Sequence, residues 1–302
     1  MTALRLGTRR SALAMAQSGG VAATVLALLG REVELVEITT EGDRSVGAIT
    51  QIGGTGVFVT ALRDALLRGE VDIAVHSYKD LPTADADGLV VVAVPPREDP
   101  RDVLCCPAGL TLGELPTGAR VGTGSPRRAA QLHALGLGLD VVGIRGNVDT
   151  RLKKAIDGEV DAVVLARAGL ARLDRLDAVT EVLDPLQMLP APAQGALAVE
   201  CRADDADLVR TLALLDDPTS RARVTAERAL LASLEAGCTA PVAALADDAD
   251  DELYLRAVVC APDGSDSLRR SAVGPMSDPQ ALGRALAAEL LDDGAAELMR
   301  MQ

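Results

Sequence analysis

The chain has 302 residues, of which 48% are hydrophobic and 25% charged, a balance typical of a globular protein with two or three domains. Its formal net charge of −14 argues against general binding to nucleic acid, which requires a basic surface. The chain has only two histidines, which argues against a histidine triad or a site with several histidine ligands. Its five cysteines include no Cys-x-x-Cys pair, which argues against a structural zinc site or a disulfide framework.

The N-terminal sequence lacks the pattern of an exported protein. Arginines near the N-terminus are not followed by the apolar stretch of a signal peptide, and no apolar run approaches the ~20 residues of a membrane helix. The sequence therefore predicts a cytoplasmic protein with neither a membrane nor a nucleic acid as partner.

Residues 1–95 alternate strand and helix patterns, which predicts an α/β unit with a largely parallel sheet. The predicted elements are a strand at 4–8, a helix at 11–29, a strand at 33–39, a helix at 58–68 and strands at 71–75 and 89–94. Between Thr40 and Val57 lies a Gly-rich stretch, and a loop of that length in a compact domain is usually functional or mobile.

Prolines mark the passage into a second α/β unit and the return from it. Within this unit we predict strands at 120–123, 140–144 and 161–165 and helices at 126–135 and 150–156. A strand at 196–200 could rejoin the first sheet, and a long helix at 220–236, a strand at 253–261 and a helix at 279–291 predict a smaller α+β unit. The acidic run at 247–252 is interpreted as a solvated loop. The predicted domains are 1–95 with 196–214, 100–190, and 218–302.

Several arginines fall where a strand pattern ends and a helix pattern begins. These are Arg9 and Arg10 with Ser11, Arg127 and Arg128 with Ser125, and Arg145 with Asn147 and Arg151. Ligands of open α/β sheets bind beyond the carboxyl ends of the strands, where helix N-termini offer backbone N–H groups. Arginine adds a planar fork that pairs with carboxylates. The pattern therefore predicts a site for a ligand with several carboxylates, although each arginine alone could be a solvated helix-start residue.

Two further positions are candidates for chemistry. Lys79 and Asp80 follow a buried strand in HSYKDLP, where a surface ion pair is as probable as a carboxylate that stabilises positive charge or transfers a proton. Cys238 follows the long helix in a loop with flanking Gly and Pro, which makes it the best thiol candidate of the five. His76 is interpreted as a packed histidine, and Cys105 and Cys106 as core residues.

Nine stretches in chain order resemble signature blocks of the porphobilinogen deaminase family, from about residue 4 to residue 292. They are LGTRRSALA, QIGGTGVFVTAL, VDIAVHSYKDLPT, REDPRDVL, GTGSPRRAAQL, IRGNVDTRL, LPAPAQGALAVE, TAERALLASLEAGCTAPV and LRAVVCAPDG. The resemblance implies two α/β domains like the lobes of periplasmic binding proteins, followed by a smaller α+β domain. It also implies a transferase that links four porphobilinogen molecules into hydroxymethylbilane with release of ammonia.

The resemblance also implies a dipyrromethane cofactor, held through a thioether to Cys238, and a catalytic carboxylate at Asp80. The other cofactor-binding residues that it implies are Lys79, Ser125, Arg127, Arg128, Arg145, Gln194 and Gly195. The substrate-binding residues that it implies are Arg9, Ser11, Phe58, Arg145, Arg151 and Arg172. No metal is implied, and the family favours a monomer. Gly124 stands where the family often has a serine, which removes one possible hydroxyl contact.

One alternative from another class remains at this point, a non-catalytic carboxylate-binding protein with the same two-lobed architecture. Such a protein would explain the arginines. It would not explain the third domain, Cys238 or a carboxylate at Asp80.

Overall fold

The computed structural model describes residues 3–38, 54–236 and 240–300, and for residues 54–58 it describes the backbone alone. Clustering of contacts divides the chain into two compact units, residues 1–97 with 196–221 and residues 98–195 with 222–302. The three-domain division drawn from the sequence remains a prediction.

The first unit holds a five-stranded sheet with the strand order β2-β1-β3-β10-β4. Its strands are β1 (Leu4–Thr8), β2 (Val33–Glu37), β3 (Ile73–Ser77), β4 (Leu89–Ala93) and β10 (Leu197–Arg202). The helices of this unit are α1 (Ala12–Leu29), α2 (Gly54–Leu67) and α6 (Ala206–Leu212), and helix α7 (Pro218–Ser233) begins in it. Strand β1 pairs in parallel with β2 and β3, whereas β10 is antiparallel to both β3 and β4. Four of the five strands therefore run in the same direction, which confirms the largely parallel sheet predicted for residues 1–95, and β10 runs the other way.

The second unit repeats this pairing pattern in a sheet of order β7-β6-β8-β5-β9. The strands are β5 (Asp102–Cys105), β6 (Arg120–Thr123), β7 (Asp140–Gly143), β8 (Ala162–Ala166) and β9 (Glu181–Val182), and the helices are α3 (Pro126–Ala134), α4 (Val148–Ile156) and α5 (Arg167–Arg172). Strand β6 is parallel to β7 and β8, and β5 is antiparallel to β8 and β9. In each sheet, therefore, a strand between two parallel neighbours runs directly into a helix.

A third sheet, also in the second unit, is antiparallel, with β11 (Val242–Ala249), β12 (Glu252–Cys260) and β13 (Ser267–Pro275). Its inner face packs on α7, α8 (Pro279–Asp292) and α9 (Ala295–Leu298) around Leu230, Leu255 and Leu286. Two predictions were wrong here. Asp247 and Asp248 lie in β11 and not in a loop, because alternate residues of the strand, not its overall polarity, face the core. The sequence also predicts an exposed loop around Arg269, but this segment is the exposed strand β13.

The fold class is confirmed as α/β units with a smaller α+β part. Helix α1 corrects another prediction, because Ala12–Leu29 has 18 residues and a mean hydropathy of 1.7, enough by length and composition to span a membrane. The helix packs a buried face that includes Gln17 and Ser18, with Ser18 Oγ donating to Thr8 Oγ1 at 2.9 Å. A helix that packs on a sheet in this way meets the same criteria, so the run alone does not indicate a membrane segment.

Candidate active site

In the first unit, side chains meet where β1 and β3 end. Ser11 is the N-cap of α1, and its hydroxyl accepts a hydrogen bond from the backbone N–H of Ala14 at 3.3 Å. Arg9 lies between β1 and this cap. Strand β3 is followed by a single 3₁₀ turn, Tyr78–Asp80, which carries Lys79 and Asp80. The sequence therefore places one carboxylate and two cations after two neighbouring parallel strands.

Asp80 keeps part of its surface accessible, while its carboxyl lies deep among protein atoms. Burial raises the pKa of this carboxyl, and the positive charges of Lys79 and Arg9 oppose the rise. Such a carboxyl can act as a carboxylate toward a developing cation and also take up a proton, which is what a group in acid–base catalysis requires.

A cavity of about 50 Å³ adjoins Asp80. Its polar lining consists of Arg9, Gln17, His76, Ser77 and Asp80. Gln17 Nε2 donates to Ser77 Oγ at 2.9 Å, which ties helix α1 to the end of strand β3. The cavity is therefore a polar recess behind the carboxylate.

In the second unit, Ser125 is the N-cap of α3 and accepts a hydrogen bond from the backbone N–H of Arg128, with Pro126 in the first turn of the helix. The side chains of Arg127 and Arg128 are only 5% and 6% exposed. The sequence suggested arginines at a helix start that face a ligand directly. In the structure the two guanidinium groups are instead built into the interior.

Asp102 holds both arginines. Its Oδ2 accepts from Arg127 Nη2 at 2.7 Å, and its Oδ1 accepts from Arg128 Nη2 at 2.8 Å and from Gln194 Nε2 at 2.7 Å. Burial alone would raise the pKa of Asp102, but the charges of Arg127 and Arg128 and these hydrogen bonds hold the pKa far below its usual range. Asp102 is therefore a permanent anion at the centre of the cluster.

The arginine pair keeps unused donors. Arg127 Nη1 donates to the carbonyl of Leu189, and Arg128 Nη1 donates to that of Val164. Together with the bond to Asp102, each guanidinium therefore uses two of its five N–H groups. Among the described residues, neither Arg127 Nε nor Arg128 Nε has a hydrogen-bond partner, although both atoms are buried. Such orphaned buried donors suit an anionic ligand.

Arg151 adds a third cation to this cluster. Burial lowers the pKa of its guanidinium, and the charge of Arg128 lowers it further. Its Nε donates to the carbonyl of Gly146 at 2.8 Å. A Cβ on Gly124 would lie 3.3 Å from Arg151 Nη2 and 2.6 Å from the carbonyl oxygen of Ile144, so the glycine lets this backbone approach closely.

Gln194 and Gly195 form a tight turn beside the arginines. Gln194 is 1% exposed, and its Nε2 also donates to the carbonyl of Pro100 at 2.7 Å. Gly195 has a φ of +88°, and a Cβ there would lie 2.3 Å from the carbonyl oxygen of Glu98, so only glycine fits. Arg172 Nη2 donates to the Gly195 carbonyl at 2.6 Å. This contact holds the turn in place and occupies part of the Arg172 guanidinium.

Three buried carboxylates of these clusters were missed by the sequence analysis. Asp102 and Glu200 each lie in a strand, and Glu227 lies in α7, where its carboxylate accepts from the backbone N–H groups of Ala193 and Ala246 at 2.6 and 2.8 Å. An acidic residue inside an otherwise apolar strand, as in DVLC or LAVECR, is the signal that could have revealed two of them.

The remaining predicted residues are placed as follows. Arg145 is exposed in the segment between β7 and α4. Cys238 lies outside the described residues, and for Phe58 only its backbone in α2 is described. Cys105, Cys106, Cys201 and Cys260 are all buried, which confirms the core assignment of the first two. Within residues 3–38, 54–236 and 240–300, no group of three histidine, cysteine or acidic side chains is placed to hold a metal ion.

Comparison with known proteins identifies the relatives of the chain. Residues 4–210 match the family model described as porphobilinogen deaminase, dipyromethane cofactor binding domain, and residues 221–292 match its C-terminal domain. The chain is 59% identical to the porphobilinogen deaminase of Nocardia farcinica over 99% of this chain and 88% of the relative. It is 61% identical to porphobilinogen deaminase 1 of Streptomyces coelicolor over 98% of this chain and 97% of the relative.

Two solved structures with a partial likeness are described as binding proteins. The methionine-binding protein MetQ aligns with a TM-score of 0.45 and 14% identity over 70% of this chain and 89% of its own. A periplasmic substrate-binding protein from Coxiella burnetii aligns with a TM-score of 0.44 and 13% identity over 72% and 94%. The fold described above rests on the sheet topology and not on these scores.

Proposed function

This chain belongs to the porphobilinogen deaminase family, and we propose that the two side-chain clusters described above carry out its reaction. The enzyme is a transferase that joins four porphobilinogen molecules head to tail into hydroxymethylbilane and releases ammonia, a step of tetrapyrrole biosynthesis. Family membership does not favour the alternative of a non-catalytic carboxylate-binding protein.

One observation supports the binding part of the proposal, namely that Arg127 and Arg128 share the Asp102 carboxylate while Arg151 adds a third positive charge close to Arg128. Asp102 neutralises one of the charges of Arg127, Arg128 and Arg151, which leaves an excess of positive charge around donors that are already desolvated. Porphobilinogen and the dipyrromethane cofactor both carry acetate and propionate groups. A carboxylate entering this cluster would neutralise the excess charge and pair with the orphaned Nε–H groups.

The donors present therefore fit the family's cofactor, which when bound supplies the covalent primer for chain growth. We propose that Arg127, Arg128 and Ser125 bind its carboxylates and that Gln194 and Gly195 shape the turn beside them. The other residues named from the sequence, Arg9, Ser11, Phe58, Lys79, Arg145, Arg151 and Arg172, are proposed as carboxylate- or ring-binding groups.

Asp80 is proposed as the catalytic carboxylate. Loss of ammonia from the aminomethyl group of porphobilinogen leaves a cation, and each ring that is added must afterwards lose a proton. The raised pKa of Asp80 suits both tasks, since the carboxylate stabilises the cation and then accepts the proton. The positive charges of Lys79 and Arg9 favour the ionised form and oppose the effect of burial.

The cysteines favour Cys238 as the point of attachment. Burial raises the pKa of Cys105 to about 12 and the pKa values of Cys201 and Cys260 to about 11, so these thiols are poor nucleophiles at neutral pH. Cys106 is also buried, with only 4% of its surface exposed. We therefore propose that the thioether forms at Cys238, two residues beyond the described end of the segment after α7.

Intact mass and peptide mapping test this assignment. We expect the protein incubated with porphobilinogen to carry an added mass of two porphobilinogen units minus two ammonia molecules on the peptide that contains Cys238. Cys238→Ala should abolish the adduct, while the matched variant Cys201→Ala should retain it. An adduct that persists in Cys238→Ala, or that maps to another cysteine, would refute the attachment site.

Turnover tests the role of Asp80. Asp80→Asn should retain the cofactor mass but lose at least about 100-fold in kcat for hydroxymethylbilane formation, within the range of a lost acid–base group. The control is Asp85→Asn, an exposed aspartate a few residues along the same segment, which should behave as wild type. Equal rates for the two variants would exclude Asp80 as the catalytic carboxylate.

We further propose that the enzyme acts as a cytoplasmic monomer with no nucleic-acid or membrane partner. The acidic net charge of −14 supports the exclusion of nucleic acid. Light scattering on the purified protein tests the monomer, since a mass of twice 31.2 kDa would contradict it.

A further inference from the structure

His76 belongs to a buried ionic network behind Asp80. Its Nε2 lies 3.1 Å from Glu200 Oε2, and the two side chains are only 3% and 2% exposed. Arg63 reaches the same carboxylate from α2, with Nη2 at 2.9 Å from Oε1 and Nε at 3.1 Å. Burial would raise the pKa of Glu200, but the hydrogen bonds from His76 and Arg63 hold it below its usual range. The histidine therefore faces an anion that is already balanced by an arginine.

This arrangement fixes the tautomer of His76. A carboxylate can only accept a hydrogen bond, so the ring proton must lie on Nε2. The other nitrogen, Nδ1, is then the atom that gains or loses a proton when the imidazole changes charge. The Nε2–H group remains bonded to Glu200 while Nδ1 is the atom that exchanges the proton.

The polar cavity of about 50 Å³ is lined by both His76 and Asp80. A space of this size can accommodate a water molecule, and the hydroxyl of Ser77 and the amide of Gln17 provide further polar partners for it. The cavity is therefore a route by which a proton can pass between the carboxyl of Asp80 and the imidazole of His76.

We propose that His76 is a positioning residue that takes up the proton from Asp80 after each condensation, through water in the cavity that both side chains line. The O–H bond of protonated Asp80 breaks, its proton passes along the water, and an N–H bond forms at Nδ1 of the neutral imidazole. Asp80 returns to the carboxylate, and the imidazolium beside Glu200 then gives the Nδ1 proton to the ammonia that the reaction releases. The ammonia leaves as ammonium, and the neutral ring is restored before the next condensation. The proposal rests on the catalytic role of Asp80 proposed above.

The charges that face His76 come from several elements. They are Glu200 on β10, Arg63 on α2, Asp80 and Lys79 on the turn after β3, and Arg9 after β1. The charges of Asp80 and His76 act on each other, and Lys79 and Arg9 act on Asp80 as well.

The two histidines of the chain allow a direct measurement by NMR. We would label the holoenzyme with ¹⁵N-histidine, assign the two rings with His76→Gln and His133→Gln, and follow both from pH 5 to 9. His133 is exposed and serves as the matched control. We expect the Nε2–H tautomer for neutral His76. Asp80→Asn should lower the titration midpoint of His76 by about half a pH unit or more, and leave His133 unchanged.

Kinetics provide the second measurement. His76→Gln keeps an amide N–H that can donate to Glu200 but cannot take up a proton, so it should lower kcat severalfold with KM within about twofold. It should also move the acidic limb of the kcat profile to higher pH, because a positive charge near Asp80 is lost. His133→Gln should leave the profile unchanged, and Glu200→Gln should shift the neutral His76 ring away from a pure Nε2–H tautomer.

The outcomes separate the two proposals. A His76 midpoint that is the same in wild type and Asp80→Asn, a neutral Nδ1–H tautomer, or a pH profile of His76→Gln identical to wild type would overturn the role of His76 alone. A wild-type protein that forms no hydroxymethylbilane would overturn the proposed function and the relay with it.

Discussion

Replacing Asp102 with Asn tests whether the arginine pair depends on its buried anion. The carboxylate accepts three hydrogen bonds, from Arg127, Arg128 and Gln194, and is completely buried. An asparagine offers one accepting oxygen and turns an NH₂ group toward at least one donor. Two buried guanidinium groups then lose their counter-ion. Removing one partner of a buried ion pair destabilises proteins by about 3–5 kcal/mol, because it leaves an uncompensated charge in the interior.

For a chain of this size each kcal/mol shifts the melting temperature by about 2–4 °C, so Asp102→Asn should lower the Tm by roughly 6 °C or more in a thermal scan followed by circular dichroism. The matched control is Asp72→Asn. Asp72 also pairs with two arginines, Arg5 at 2.8 Å and Arg202 at 3.4 Å, but these side chains are 40% and 22% exposed and the carboxylate 18%. Partly exposed pairs contribute about 1 kcal/mol or less. If the two variants melt within about 2 °C of each other, the buried anion does not stabilise the cluster.

Three further predictions follow from the same contacts. Gly195→Ala should lower the free energy of unfolding by roughly 2 kcal/mol or more, because its Cβ would meet the Glu98 carbonyl; Gly109→Ala, with a φ of +75° but open space around it, should lose about 1 kcal/mol by chemical denaturation. Arg127→Leu should prevent retention of the cofactor mass, whereas Arg269→Leu on the exposed strand β13 should not, and equal retention would contradict the carboxylate cluster. Because the pKa of Asp102 is depressed on folding, its stabilising contribution should be complete above about pH 4 and fall as the pH drops below that value, a loss that acid unfolding of Asp102→Asn should no longer show.

Periodicity in the sequence predicted the elements of the two mixed sheets well. Strand β6 and the start of helix α3 lie where Ser125 and Pro126 indicate a cap and a first turn. The direction of β10 could not be read from its residues, because a buried strand has the same apolar composition in either direction. Strand β13 was missed because Arg269 and Arg270 interrupt it, so it presents no continuous apolar run.

The sequence predicted the cations of the candidate site but not their buried carboxylate partners. The pattern of arginines after strands indicated where cations collect, but not that Arg127 and Arg128 would be buried on Asp102. A charged side chain is buried only where it has a partner, and Asp102 lies 25 and 26 residues before Arg127 and Arg128. A local sequence pattern does not indicate partners at such distances. The partnership of His76 with Glu200, 124 residues apart, was invisible for the same reason.

The two aspartates of the clusters have similar chemistry but opposite environments. Asp102 is surrounded by donors, and its pKa is held far below the usual range, so it is an anion at neutral pH. Asp80 is buried with charged neighbours that only partly offset the loss of water, and its pKa is raised. Two carboxyl groups whose surroundings give them different pKa values can have different roles in one protein. A permanent anion can orient cations but cannot exchange protons, whereas a carboxyl with a raised pKa can do so repeatedly. Asp102 therefore orients the arginines, whereas Asp80 exchanges protons. A group that exchanges protons needs an acceptor, and we propose that His76 is the acceptor for Asp80.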